Sequence, residues 1–294
     1  MAAIGRYKGW LFVAPWVIGL SAFTVYPFCA SIYYSFTDFS VLVKPTYVGA
    51  MNYQKIYEDD LFWKVLKNTF LYAGLSIPAG LIISLSLALM MNGVRRGQAL
   101  YSIIFYLPHL MPPVACAILW MWIFNSEFGL LNNALRPILG LVNMSPPSWL
   151  GSSDWALPAL VVMAMWGVGQ TAFIYLAKLQ DVPQDMYEAA EIDGASTLQK
   201  IWYVTLPMIS PVIFFNIIMA IIGSFQVFTA PFMITEGGPD KSTTFMPHYI
   251  WDNAFRFLKM GYACAMSWIL FLVILALTAL AFRLARDRVY YAGK

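Results

Sequence analysis

Six long apolar runs, separated by polar segments rich in proline, glycine and charge, set the order of this 294-residue chain. They extend from about Trp10 to Ile32, Thr69 to Met91, Leu100 to Phe124, Trp155 to Leu176, Pro207 to Thr229 and Tyr262 to Leu284. Each holds roughly 20 residues or more, the length a helix needs to cross a hydrocarbon core about 30 Å thick. The pattern predicts an all-α membrane protein with six transmembrane helices. The first run is longer than a signal-peptide core of about 7–15 residues and has no clean small-residue cleavage site after it, so it reads as an uncleaved span. Tyr33, Tyr34 and Phe36 at its end read as an interfacial aromatic belt.

Prolines punctuate the runs. Pro78 in the second is tolerable because neighbouring helices satisfy the freed carbonyl, whereas Pro108, Pro112 and Pro113 predict a bent or broken third span. His109 lies beside that break. A histidine there is read two ways, as a structural polar contact or as a functional group. Residues 37 to about 68 and 125 to 154 are predicted as polar loops.

Composition agrees with the pattern: 60% of residues are hydrophobic and 11% charged, against about 25% charged in a soluble domain. The net charge of +3 says nothing about nucleic acid, because the basic residues sit in loops and termini, and no nucleic-acid partner is expected. They sit there unevenly. Six spans place both termini on one side, with Arg6, Lys8, Arg95, Arg96, Lys178, Lys200, Arg283, Arg286, Arg288 and Lys294. That is about ten in roughly 58 loop residues, against about eight in roughly 95 on the other side, so the positive-inside rule makes the termini cytoplasmic. Cys29, Cys116 and Cys264 lie in apolar runs, spaced for neither metal nor a disulfide framework.

No Asp or Glu falls inside the six runs. Ion-coupled carriers place an ionisable group near the bilayer midplane, so its absence argues against a secondary carrier and against an intramembrane enzyme built on paired carboxylates. Gly237-Gly238-Pro239-Asp240-Lys241-Ser242-Thr243 resembles a phosphate loop only superficially. Asp240 stands where a glycine must let backbone N–H groups wrap a phosphate, so the segment reads as a turn. No catalytic or metal-binding set is expected.

The longest polar interruption of the second half, Asp185 to Pro207, has a grammar of its own. Asp185 and Glu188 are spaced as a capping box, and Met186, Ala189 and Ala190 share one face of a short helix. Gly194 falls where that helix would end in a left-handed turn. Ser196 or Thr197 then caps a second short helix, which Leu206-Pro207 stops. Pattern alone leaves two readings, an ordinary amphipathic loop or a rigid lever between spans.

Glu188-Ala189-Ala190, then Gly194, then Val204-x-Leu206-Pro207 resembles the EAA loop of binding-protein-dependent ABC importer permeases, with Val204 where that family usually carries Ile. Tyr47-Val48-Gly49-x-x-Asn52-Tyr53, Phe62-Trp63 with Asn68-Thr69, Thr235-x-Gly237-Gly238-Pro239 and Gly261-Tyr262-Ala263-x-Ala265-x-Ser267 are similar to segments of the carbohydrate-uptake branch of type I importers. The resemblance covers nearly the whole chain. It implies a permease subunit in the cytoplasmic (inner) membrane, with a first span and outer loop over 1–64 and a transport core over 65–294. Implied partners are a second homologous permease, a dimer of cytoplasmic ABC ATPases, an extracytoplasmic solute-binding protein, lipid and a sugar-like substrate. ATP and Mg would be bound by the ATPases, leaving this chain without a cofactor. Glu188, Ala189, Ala190, Gly194, Leu206 and Pro207 would couple to the ATPase. The alternative is an ion-coupled carrier or membrane scaffold whose loop mimics the motif.

The resemblance also implies a substrate pathway through the helices before and after the EAA loop, at Gly167, Gln170, Gly223, Ser224 and Val227. Gln170, Asn216, Ser224 and Gln226 are hydrogen-bonding groups inside spans, and each is either a partner for a sugar hydroxyl or a bond between helices. Trp166, Phe225 and Phe228 are candidate stacking platforms for a pyranose face.

Overall fold

The computed structural model describes residues 2–94, 96–141, 143–286 and 289, without the side chains of residues 2–9 and 11. Of the basic positions used for orientation, Arg95, Arg288, Lys294 and the side chains of Arg6 and Lys8 lie outside the described residues. Helix α1 (Ala2–Leu20) runs through a π-helical turn (Ser21–Val25) into α2 (Tyr26–Ser35). Strands β1 (Thr37–Ser40) and β2 (Val43–Tyr47) follow, then α3 (Met51–Tyr57), α4 (Asp60–Asn92), α5 (Gln98–Leu110), α6 (Pro113–Ile123) and α7 (Leu130–Gly140). Next come α8 (Ser153–Trp166), α9 (Gly169–Gln180) and the short helices α10 (Gln184–Ile192) and α11 (Thr197–Lys200). A π-helical turn (Ile201–Thr205) leads into α12 (Leu206–Phe225), followed by α13 (Thr229–Ile234), α14 (Met246–Trp251), a third π-helical turn (Asp252–Arg256) and α15 (Met260–Ala285).

Among the described residues, four helical stretches are long and apolar enough to cross a membrane: Phe12–Ser35, Asp60–Asn92, Thr197–Ile234 and Met260–Ala285. The pairs α5/α6 and α8/α9, bent by 99° and 43°, bring the number to six where each pair is one span. The 99° break has a local cause. Met111 and Pro112 are extended, with ψ of 137° and 133°, because a residue followed by proline is pushed out of the helical region. Pro113 then occupies the first position of α6, where its missing N–H costs nothing.

The chain packs as two units, Met1–Phe62 with Tyr249–Leu272 and Trp63–His248 with Val273–Lys294. In the first, the segment expected to be a loop is folded. An antiparallel hairpin pairs Thr37 with Tyr47 and Ser40 with Val43. Asn52, 4% exposed, donates both Nδ2 hydrogens, to the carbonyls of Ser35 and Thr37 at 2.9 Å each. Gly261 packs so closely on the Thr37 carbonyl that a Cβ there would collide with it. The second span starts at Asp60 rather than near Thr69, because the carboxylate of Asp59 caps α4 by accepting the N–H groups of Leu61 (2.9 Å) and Phe62 (3.3 Å).

Among its described residues, the second unit has an apolar cluster around Tyr72, Trp120, Phe124, Leu160 and Phe245 and another around Ala88, Tyr175, Leu179 and Ile209. Helices α5 and α9 meet where Gly169 faces the Phe105 carbonyl with no room for a Cβ, and Tyr106 packs edge-on to Phe173 at 5.4 Å. His109 is exposed, its ring 5.5 Å from that of Tyr106. The glycine-rich stretch after α13 is a hydrogen-bonded turn: Thr244 Oγ1 donates to the Gly237 carbonyl (3.0 Å) and Asn68 Nδ2 to that of Lys241 (2.7 Å). The three cysteines are free.

Candidate functional site

The segment between α9 and α12 is built as a braced elbow. Asp185 does not cap α10, contrary to the capping-box expectation. Pro183 holds the N-cap position with extended geometry, which places Asp185 within the first turn, where its charge favours the helix dipole without a capping bond. Gly194 has φ +77°, the left-handed turn its position requires, and the Ala195 N–H returns to the Ala190 carbonyl at 2.9 Å. Ser196 caps α11 in a reciprocal box with Gln199. Leu206-Pro207 stops nothing. The π-helical turn carries α11 straight into α12, with the Leu206 N–H reaching back to the Ile201 carbonyl, so the missing Pro207 N–H falls in an already widened turn.

Two side-chain contacts brace the elbow. The Tyr187 and Thr205 hydroxyls lie 3.0 Å apart, and Lys200 Nζ is 2.7 Å from Glu191 Oε1. The hydrogen bond and charge of Lys200 hold the Glu191 carboxyl below its ordinary value. Tyr187 and Leu206 pack on the cluster of Tyr175, Leu179 and Ile209. Glu188, Ala189 and Gly194 are exposed and Ala190 half-buried, while Met186 (46% exposed), Ile192 (87%) and Leu198 (68%) add an apolar outer surface.

A cleft of about 380 Å³ lies among α4, α8, α9 and α12. Gln170, Gly223, Ser224 and Val227 line it together, with Asn216. Gly167 is not among its walls: it is the C-cap of α8, at the 43° bend, and exposed. That bend was not expected from sequence. Ser224, 8% exposed, donates its hydroxyl to the Ile221 carbonyl (3.1 Å), and Asn216 Nδ2 bonds Val212 (3.0 Å), so both satisfy their own helix while facing the cleft. Gln226 does not line the cleft but caps α12.

The candidate stacking platforms do not line the cleft, and each meets another ring, although Trp166 keeps 36% of its surface exposed. Phe225 is 2% exposed and edge-on to Phe70 at 5.0 Å, Phe228 stacks on Phe232 at 4.9 Å, and Trp166 meets Trp120 at 5.9 Å. The aromatic wall is instead Tyr72, which with Ser76 and Gly80 forms a stripe along α4 that sequence reasoning missed. Their spacing of four is the signal, since it puts all three on one helix face. Among the described residues, no Asp, Glu, Lys, Arg or His lines this cleft.

The chain matches the family model described as binding-protein-dependent transport system inner membrane component over residues 76–288. It is 34% identical to the probable ABC transporter permease protein YesP of Bacillus subtilis (strain 168), over 97% of this chain and 93% of that protein. It is also 34% identical to the lactose transport system permease protein LacF of Rhizobium radiobacter, over 98% of each. Among solved structures it is similar to a bacterial ABC transporter involved in the import of the acidic polysaccharide alginate, with a TM-score of 0.83, 24% identity and coverage of 98% and 99% of the two chains, a likeness of fold. The chain therefore belongs to the binding-protein-dependent transport inner-membrane component family, as a multi-pass inner-membrane ABC importer permease and not an enzyme.

Proposed function

We propose that this chain is one permease of an importer that carries a neutral sugar, pairing with a second permease and loaded by an extracytoplasmic solute-binding protein. The observation that carries the reading is the cleft. It joins hydrogen-bonding groups (Gln170, Thr171, Asn216, Ser224, Tyr72) to an uncharged lining, and it lies between α9 and α12, the two helices that the elbow connects. An anion moved from water into such a lining would lose its hydration with no cation to replace it, whereas sugar hydroxyls find donors and acceptors. Relatives are named for neutral and for anionic cargo, lactose among the first and sn-glycerol 3-phosphate among the second, so the lining of the cleft decides the class.

In this reading the elbow faces the cytoplasm and its exposed surface, with Glu188, Ala189, Ala190 and Gly194, docks on an ATPase dimer that binds ATP and Mg. Leu206 and Pro207 sit where the elbow becomes span. ATP-driven closure of the dimer carries the elbow, and the differential contact it makes in each state shifts the permease between inward- and outward-open forms. Exposed apolar side chains of the first span, such as Phe12 (86%) and Phe23 (83%), supply surface for lipid.

The test is uptake into proteoliposomes holding the whole complex and its binding protein, with lactose, maltose, glucose, glycerol 3-phosphate and a uronic-acid oligosaccharide. A neutral sugar should be carried; uptake restricted to the anions would overturn the reading. Orientation is checked by thiol labelling on a background without the native cysteines. Ser196→Cys should react only after permeabilisation and Leu42→Cys, at a 79% exposed position, in intact spheroplasts.

A further inference from the structure

The first unit contains a second cavity, of about 400 Å³, at the opening of α4 and α15. Its lining differs in kind from that of the cleft. The floor is built of buried polar groups: Asn52 is 4% exposed, Asn253 3% and Tyr249 9%. Asn52 spends both amide hydrogens on backbone carbonyls, which leaves Oδ1 as an acceptor. The hydroxyls of Tyr249 and Tyr262 both donate to Asp59 Oδ2, at 2.6 and 2.7 Å, so each phenolic oxygen keeps only its acceptor capacity for anything else. Burial alone would raise the Asp59 carboxyl, but those two hydroxyls and the N–H groups of Phe62 and Leu61 outweigh it and hold the group below its ordinary value.

Around this floor stand Lys55, Lys259 and Glu58, whose charged ends have no hydrogen-bond or ion-pair partner among the described residues. Fixed acceptors at the floor and unengaged donors and acceptors at the rim are what a molecule rich in hydroxyls requires, since each hydroxyl both gives and takes a hydrogen bond. Charge narrows the class. Asp38, Glu58 and Asp59 against Lys55 and Lys259 leave a formal balance of one negative charge, which disfavours an anion. The carboxylates form no cluster suited to a metal ion among the described residues. The volume lies within the range of about 300–1,000 Å³ common for small-molecule sites.

We propose that this cavity is a second, weak site for a neutral sugar ring, separate from the cleft. The proposal rests on the neutral-sugar reading of the importer, and its test is independent of transport. The assembled complex in nanodiscs, without binding protein, carries Lys259→Cys on a background lacking the native thiols. A charged thiol reagent reports on the cavity directly. Lactose, maltose or glucose at about ten times its Kd leaves roughly a tenth of sites open, so labelling should slow about tenfold. Adding Lys55→Met and Glu58→Gln should remove the protection. If none of the three sugars slows labelling, or only added binding protein does, the proposal is overturned, whatever the uptake assay gives. Should the first reporter fail to assemble, Lys55→Cys reports from another position on the same rim, with Lys259→Met and Glu58→Gln as the pair that should remove its protection. Failure of neutral-sugar uptake with protection intact would overturn the transport reading alone.

Discussion

The hydroxyl of Tyr187, on the first helix of the elbow, lies 3.0 Å from that of Thr205, in the π-helical turn before α12. This is a direct side-chain tie between the elbow and the span that follows it. Thr205 also donates to the Lys200 carbonyl at 3.3 Å, so its hydroxyl keeps a partner if Tyr187 loses its own. Tyr187→Phe should therefore leave the fold intact and loosen the elbow by about 0.5–1.5 kcal/mol. Sugar uptake per ATP hydrolysed should fall several-fold while the complex purifies normally; an unchanged ratio would show that the tie carries no motion.

Gly194 separates strain from collision. Its φ is +77°, yet a Cβ there would meet nothing within 4 Å. Only backbone preference then opposes substitution, at about 1 kcal/mol for an ordinary residue. Asn tolerates the left-handed region, so Gly194→Asn should retain most transport and Gly194→Val should lose it, both with normal insertion. Paired uptake and ATPase co-purification assays distinguish this from a general folding defect.

Gly167 and Gly169, two residues apart, should respond in opposite ways. A Cβ on Gly167 meets only the Ala164 carbonyl at 3.6 Å, whereas on Gly169 it collides with the backbone of Phe105. Gly169→Ala should sharply lower yield and thermal stability by forcing α5 from α9. Gly167→Ala should be neutral for stability, and detergent melting curves will rank them.

In the cleft, Gln170 is exposed and Ser224 is buried with its proton committed to Ile221. A neutral hydrogen bond is worth about 0.5–1.5 kcal/mol, so Gln170→Ala should raise the apparent KM for sugar by roughly two- to tenfold. Ser224→Ala should cost less, because the serine has only acceptor capacity left to offer. Equal losses of stability without a change in KM would assign both to helix packing.

Asp59 gives a pH signature. Its folded-state value is lowered, so the stability it contributes is present above the ordinary carboxylate value and is lost as pH falls through the lower folded one. Asp59→Asn should lower the melting temperature at neutral pH, and the gap to the parent protein should close below about pH 4. The Tyr249 hydroxyl, pushed up to about 12 by burial and by the neighbouring Asp59, stays protonated throughout.

Much of this architecture is written in local pattern. Apolar runs mark the spans, Pro112 with Pro113 marks the 99° break, and Gly194 marks the left-handed turn, since each effect is decided within a few residues. What was missed depends on partners far along the chain. The bend at Gly167 sits next to the close approach of Gly169 and Phe105, and Tyr72, Ser76 and Gly80 become a wall only once α9 and α12 stand opposite them. Asp185 misled for a local reason: its spacing to Glu188 fits a capping box, but Pro183 begins the helix two residues earlier.

The uninterrupted helical path from α11 through the π-helical turn into α12 makes a rod running Thr197–Phe225, about 43 Å long at 1.5 Å per residue. Such a rod multiplies angle into displacement: a tilt of only about 7° at the elbow moves the far tip sideways by roughly 5 Å, about half the diameter of a helix. Ser224 and Gly223 are at that tip. A movement too small to disturb packing near the pivot is thus large enough to exchange which side chains face the cleft.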